Sequence, residues 1–215
     1  MIFPAWPAPF ASSALCTTRA DSEDAIPAAL GDADLRLPVI QQVHGTTVVN
    51  ADEVDGSCEA DAIISRTPAL ACRIVTADCL PILLADRDGR EVAAVHAGWR
   101  GLAAGIIEAT LDAMTTSPSG LMAWIGPAIS QANYEVGREV YDALAVDDAA
   151  DSCFAPRGDK YLADLPALGR LRLLGRGVAQ VAGGDLCTFA DSRRFHSYRR
   201  DGNAAGRQVS AIRLA

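Results

Sequence analysis

Residues 76–101 read TADCLPILLADRDGREVAAVHAGWRG, two apolar runs divided by a charged tetrapeptide and ending in a histidine and a patch of small residues. Short apolar runs bounded by turn formers read as buried strands. Leu80–Ala85 and Glu91–His96 are such runs, and Asp86-Arg87-Asp88-Gly89 has the composition of a hairpin connection. With a four-residue loop at 86–89, Ala85 faces Arg90, and counting back sets Cys79 opposite His96. Directly opposed residues carry Cβ atoms about 4.5–5.5 Å apart, so thiol and imidazole can meet at one point. Three readings are open. With His44, which ends the similar run QQVHG (41–45), the pair makes a two-His, one-Cys metal site with a fourth position free, the pattern of catalytic zinc. Without His44, Cys79 and His96 are a nucleophile and its base. The third reading is a buried thiol with two core histidines.

Outward from this hairpin, the first half of the chain is rich in strand-like segments: Ala14–Thr18, Pro38–Val43, Thr46–Asn50, Asp61–Ser65 and Cys72–Thr76. Gly101–Met114 carries apolar residues at helical spacing. A strand follows at Leu121–Ile125, then helices at Gly137–Leu144 and Leu162–Val181, and a closing strand at Gln208–Leu214. Residues 19–37 are the least patterned and read as a surface loop. Strands first and helices later predict an α/β, α+β-like fold, one domain over residues 1–215, with layered mixed sheets flanked by helices. The GWRG segment leads from a strand into a helix, where unpaired N–H groups favour an anion; Gly98 and Gly101 equally suit close packing alone.

At 215 residues and 50% hydrophobic content the chain can build a real core. Its net charge of −8 argues against a nucleic-acid footprint. The exception is the segment RRFHSYRRDGNAAGR, which concentrates Arg193, Arg194, Arg199, Arg200 and Arg207. No segment approaches the ~20 uninterrupted apolar residues of a membrane span, and the N-terminus lacks the pattern of a signal peptide. The expectation is a cytoplasmic protein without membrane or nucleic-acid partners, a monomer or small homo-oligomer. Six widely spaced cysteines suggest neither a disulfide framework nor a zinc knuckle.

Taken together, QQVHG (41–45), TADCLPILLAD (76–86), VHAGWRGL (95–102), IGPAIS (125–130) with YEVG (134–137), DLCTFAD (185–191), and FHSYRRDG with GR (195–207) resemble the YfiH-type family. Its members are variously described as multicopper (laccase-like) polyphenol oxidase, peptidoglycan editing factor and purine nucleoside phosphorylase. The resemblance implies a fold related to the catalytic domain of a bacterial deamidase toxin, and one zinc ion held by His44, Cys79 and His96. It implies phosphorolysis of adenosine, inosine, guanosine and methylthioadenosine, with hydrolytic deamination of adenosine. Other readings are an editing hydrolase acting on nucleotide-sugar amino-acid conjugates, with Cys79 as nucleophile, and a laccase-like oxidase. An oxidase reducing dioxygen needs a further histidine-rich copper cluster, and only His196 remains for one. Copper is therefore a weaker expectation than zinc.

For the purine chemistry, Cys79, Asp78 and Arg100 are the candidate catalytic residues, with Asp78 as acid/base. Arg19, Gln42, Gly98, Arg199 and Arg200 are the candidate contacts to nucleoside and phosphate. Two departures from the family pattern stand out. The usual TTR-x-GGVS segment is shortened here to TTRADSED, and His196 stands where an aromatic residue is usual.

Overall fold

The computed structural model describes residues 1–6, 12–55 and 58–215. Twelve strands are described: β1 (Ser12–Cys16), β2 (Val48–Asn50), β3 (Ala62–Ser65), β4 (Cys72–Thr76), β5 (Leu80–Asp86), β6 (Val92–Ala97), β7 (Leu121–Ile125), β8 (Glu135–Val136), β9 (Phe154–Arg157), β10 (Lys160–Ala163), β11 (Gln180–Gly183) and β12 (Gln208–Leu214). The α-helices are α1 (Ile26–Ala29), α2 (Trp99–Ala104), α3 (Ile106–Ala113), α4 (Arg138–Leu144), α5 (Asp148–Asp151), α6 (Leu165–Gly175) and α7 (Tyr198–Asp201). They form a mixed α/β single domain. A six-stranded sheet has the order β11-β7-β5-β6-β3-β2, and three-stranded sheets have the orders β1-β12-β4 and β8-β10-β9.

The central strands β5 and β6 are buried at every position, as expected of strands covered on both faces. The period of two then sorts their side chains. Leu80, Ile82, Leu84, Ala93, Val95 and Ala97 pack with Leu102, Ile106, Ile107 and Leu111 of α2 and α3. Leu83, Ala85, Val92 and Ala94 face the other way, onto Cys72, Ile74, Ile212 and Leu214 of the small sheet. Cys79, His96 and Asp61 continue this second set by parity. All three therefore sit at one end of the large sheet, on the face turned to the small sheet.

The hairpin forms, with its register displaced by two residues from expectation. Ala85 pairs with Val92, and His96 with Pro81. The cause is Asp86, which reads as a loop residue but ends β5. Its N–H donates to the Glu91 carbonyl (3.0 Å), and its buried carboxylate accepts from the N–H groups of Asp88 (3.1 Å) and Arg90 (3.2 Å). The loop is thus 87–90, and the residue facing Cys79 on this register is Gly98.

Four other expectations are corrected. Gly101–Met114 is two helices, because Gly105 adopts φ 96° between them. Residues 162–181 comprise the end of β10, helix α6 and strand β11. Asp164 caps α6 by accepting from the Ala167 N–H (2.9 Å), and β11 runs parallel to β7. The segment 19–37 includes α1 and buries Ile26, Leu30 and Leu35 in a small core of its own. Pro38–Val43 is not a strand. There Gln42 stands in for a strand's backbone: its Nε2 donates to the Val75 carbonyl (2.8 Å), and its Oε1 accepts from the Val75 N–H (2.7 Å).

Replacing Asp86 with Ala strips the loop donors of their acceptor and is expected to cost about 1–3 kcal/mol, read from the urea midpoint. Asp88→Ala, at a 72% exposed side chain, should change stability by less than about 0.5 kcal/mol. Equal effects would refute the role given to Asp86.

Candidate functional site

The start of β5, the end of β6 and the loop before β2 meet at one end of the large sheet. They bring one ligand atom each from His44, Cys79 and His96 to within 4.8 Å of one another. Among the described residues this is the one such group of three or more. The Cys79 Sγ lies 3.8 Å from His44 Nε2, and the two imidazole rings meet edge to face, 4.7 Å between centroids. The parity of β5 and β6, not direct opposition, gathers Cys79 and His96. Gly98 permits the approach, since a Cβ there would lie 2.6 Å from His44 Cδ2 and 3.2 Å from Cys79 Sγ. Gly101 likewise faces the Gly45 carbonyl, where a Cβ would lie 3.0 Å from the oxygen, closer than ordinary contact. These glycines let the helix begin against the ligands.

Asp61 organises the cluster. Opposed to His96 by the β3–β6 register, it is fully buried. Its Oδ1 lies 2.7 Å from His96 Nδ1, leaving Nε2 of that ring to face the thiol. Its carboxylate also accepts from the backbone N–H groups of Val43 (3.3 Å), His44 (2.9 Å) and Gly45 (2.6 Å). One carboxylate therefore fixes one histidine through its ring and the other through its main chain. His44 is held at φ 62° and Asp78 at φ 87°, left-handed conformations that cost non-glycine residues energy and persist only where surrounding contacts impose them.

Burial raises the Cys79 thiol, but hydrogen bonds from His44 and His96 outweigh it and bring it down to about 6. Burial lowers His96, yet hydrogen bonds to Asp61 and Cys79 carry it up to about 9. A neutral-pH thiolate beside two imidazoles is a donor set suited to zinc. These side chains would hold the ion through two nitrogens and one sulfur, and Asp61 offers the orienting outer contact that metal-binding histidines usually have. The third histidine does not join: His196 lies against Gly206 and is not among the cavity-lining residues.

A cavity of about 520 Å³ opens over the cluster. Trp99, Tyr134, Tyr198, Ile40, Ile129 and Leu165 supply its flat and apolar walls, and Arg100, Arg199 and Arg207 its charge. Arg100 stacks on Trp99 (4.3 Å to the ring centroid) and Arg199 on Tyr134 (5.3 Å). Burial pushes the Tyr134 phenol up to about 12, keeping it neutral.

Several expected site residues have other engagements. Asp78 lines the cavity, but its Oδ1 accepts from Thr188 Oγ1 (2.6 Å) and its Oδ2 from Ser197 Oγ (3.0 Å) and the Arg199 N–H (2.6 Å). It braces the C-terminal loop against the neighbouring Cys79. Gln42 lines the cavity with both amide atoms committed to Val75. Arg19 and Arg200 are not among the lining residues. Arg19 turns to the carbonyls of Ser192 and Phe195 and to Asp201. Arg200 spends its donors on Asp201 and on the carbonyls of Thr188, Phe189 and Phe195. Asp61 and Tyr134 escaped the sequence reading, and Arg207 was singled out there only as one of the clustered arginines of the C-terminal segment. For Asp61 the available signal was an acid directly before the apolar run AIIS.

Asp61→Asn should keep the fold but lower zinc affinity roughly 10- to 100-fold in a chelator competition; unchanged affinity would remove Asp61 from this role. Zinc must displace the His96 proton while Cys79 is already a thiolate, so apparent affinity should rise about tenfold per pH unit between about 6 and 9 and then level off. A flat profile would contradict that protonation scheme.

A family model described as multi-copper polyphenol oxidoreductase laccase matches residues 7–215. Purine nucleoside phosphorylase YfiH of Escherichia coli (strain K12) is 49% identical over 177 residues, covering 81% of this chain and 72% of that protein. A purine nucleoside phosphorylase of Pseudomonas aeruginosa is 49% identical over 178 residues, covering 81% and 73% respectively. The crystal structure of Neisseria meningitidis protein NMB0706 matches with a TM-score of 0.90 at 41% identity, over 99% of this chain and 98% of that one. Sequence, fold and the extent of both matches agree: the chain belongs to the YfiH family, whose model carries the laccase description.

Proposed function

We infer that this protein is a purine nucleoside phosphorylase, acting on adenosine, inosine, guanosine and methylthioadenosine, with adenosine deamination as a second activity. The observation that carries the reading is one cavity that joins the His44–Cys79–His96 cluster to aromatic walls and to arginines. A volume of about 520 Å³ suits a nucleoside with a small anion, and the names of the similar proteins point to the same substrates. His44, Cys79 and His96 would hold a zinc ion, which would supply Lewis-acid chemistry beside the substrate.

In phosphorolysis a phosphate oxygen attacks C1′ of the ribose, the glycosidic C–N bond breaks, and its electron pair leaves with the purine, which takes up a proton. Guanidinium groups hold the attacking anion and balance its charge. Aromatic faces of Trp99 and Tyr134 suit the flat base, and their apolar neighbours exclude water from the sugar. In deamination the oxygen of water attacks C6 of adenine and ammonia leaves. Both reactions use the same base pocket. A multicopper oxidase mechanism is disfavoured by ligand count, since three histidines in all cannot build a trinuclear copper cluster beside a second copper.

The lowered Cys79 thiol favours one other reading, an editing hydrolase in which Cys79 attacks an acyl group and His96 manages the proton. Zinc would mask that thiol, so the two readings exclude each other at this residue.

Zinc-loaded protein incubated with inosine and phosphate should release hypoxanthine and ribose 1-phosphate, and with adenosine should also form inosine, both resolved by chromatography. Cys79→Ala and His44→Ala should lose bound zinc and at least about 100-fold in rate. No base release from any of the four nucleosides by zinc-loaded protein would overturn the reading, and a covalent adduct of Cys79 with an acyl substrate would establish the hydrolase in its place.

A further inference from the structure

We propose that Arg199 and Arg207, flanked by Arg100, form the phosphoryl-binding site of the cavity, and that Arg207 is the residue that sets its selectivity for a phosphoryl group. This deepens the phosphorylase reading and rests on it for the identity of the second substrate, while the anion site itself stands on the following observations.

The first is an accounting of donors. Arg19 and Arg200 are engaged by Asp201 and by backbone carbonyls outside the cavity. Arg199 uses one terminal nitrogen on the Glu135 carbonyl (2.9 Å). Arg207 uses one on the carbonyls of Ala205 and Gly206. Each thus keeps a second terminal nitrogen and its Nε without a protein partner among the described residues, the fork geometry that fits two phosphoryl oxygens.

The second is electrostatic. The chain has net charge −8, and most of its arginines are paired with a carboxylate. Among the described residues Arg36, Arg87, Arg100, Arg170, Arg193, Arg199 and Arg207 have no such partner, and three of these, Arg100, Arg199 and Arg207, face one cavity. The single carboxylate in that lining, Asp78, has its oxygens committed to Thr188, Ser197 and the Arg199 N–H. Three guanidinium groups thus share one cavity lining with a single carboxylate and the Cys79 thiolate, and an oxyanion would balance the excess of positive charge.

The third is preorganisation. Ser197 caps α7 by accepting from the Arg200 N–H (3.2 Å), and the Arg199 guanidinium lies over the Tyr134 ring. Arg207 immediately precedes β12. There the Gln208 side chain clasps the backbone of His196, accepting from its N–H (2.7 Å) and donating to its carbonyl (3.0 Å). Both arginines are thus presented from backbone that is tied down before any ligand arrives.

The phosphoryl group can belong to inorganic phosphate or to the 5′-phosphate of a nucleotide, and two probes separate them. Zinc-loaded wild type, Arg207→Gln, Arg207→Lys and Arg193→Gln would be titrated calorimetrically with inorganic phosphate and with adenosine 5′-monophosphate, and assayed for inosine phosphorolysis. Arg207→Gln should weaken phosphate binding roughly 10- to 100-fold and raise KM for phosphate by the same factor, with KM for inosine changed less than twofold. Arg207→Lys should recover part of the loss. Arg193→Gln, outside this cavity, should match wild type. Loss confined to the monophosphate would support the site with the nucleotide as its source. If Arg207→Gln retains wild-type affinity for both probes while unfolding at the wild-type temperature, the proposal is wrong. Phosphate binding that depends on Arg207 without any base release would leave the anion site standing and remove the phosphorylase reading alone.

Discussion

The buried carboxylate of Asp61 is the contact on which the site depends. A fully buried acid is costly unless its oxygens are hydrogen-bonded, and here two oxygens serve three backbone N–H groups and an imidazole. Those bonds hold the loop 43–45, which no strand supports, and orient the ring at the end of β6. Without them His44 would sit on a loop held only at its flanks, by Gln42 and Thr47, and its left-handed backbone would relax. The same carboxylate that keeps the loop in place thereby decides where two of the three candidate metal ligands point.

Asp78 does for the second half of the site what Asp61 does for the first. It precedes Cys79 directly and gathers Thr188, Ser197 and the Arg199 N–H. The thiol that faces His44 and His96 is thus coupled through one peptide to the loop that carries the cationic groups. Neither acid needs to touch a substrate for its replacement to disturb the chemistry. The general arrangement is a pair of buried acids, one behind the histidines and one behind the arginines, with the cavity between them.

Where local composition and burial agree, the elements could be read from the chain. Cys72–Thr76, Leu121–Ile125 and Gln208–Leu214 are apolar runs bounded by clear breaks, and they coincide with β4, β7 and β12. The segment 162–181 misled because Leu and Arg at helical spacing conceal two short strands whose partners, β9 and β7, lie elsewhere in the chain. The meeting of Cys79 and His96 was legible from the hairpin, although the register was wrong by two, because Asp86 satisfies its loop from inside the strand; His44 joined them through the family resemblance, since the run before it is not a strand. Arg200 and Arg19 looked like substrate contacts because charge is visible in sequence while its consumption by carbonyl groups is not. Arg207 could be read as part of the arginine-rich segment but not ranked above its neighbours, because nothing local says which of them is left free.

The strand β12 lies between β1 and β4, so the last residues of the chain complete a sheet begun by some of the first. The three candidate metal ligands are all synthesised within the first half, yet the arginine-bearing wall of their cavity is anchored only when β12 docks. During synthesis on the ribosome a nascent chain can carry its thiol and both histidines long before it has a pocket around them. Long-range pairing of this kind closes late, and it makes the docking of β12 the event that turns an exposed donor cluster into an enclosed one.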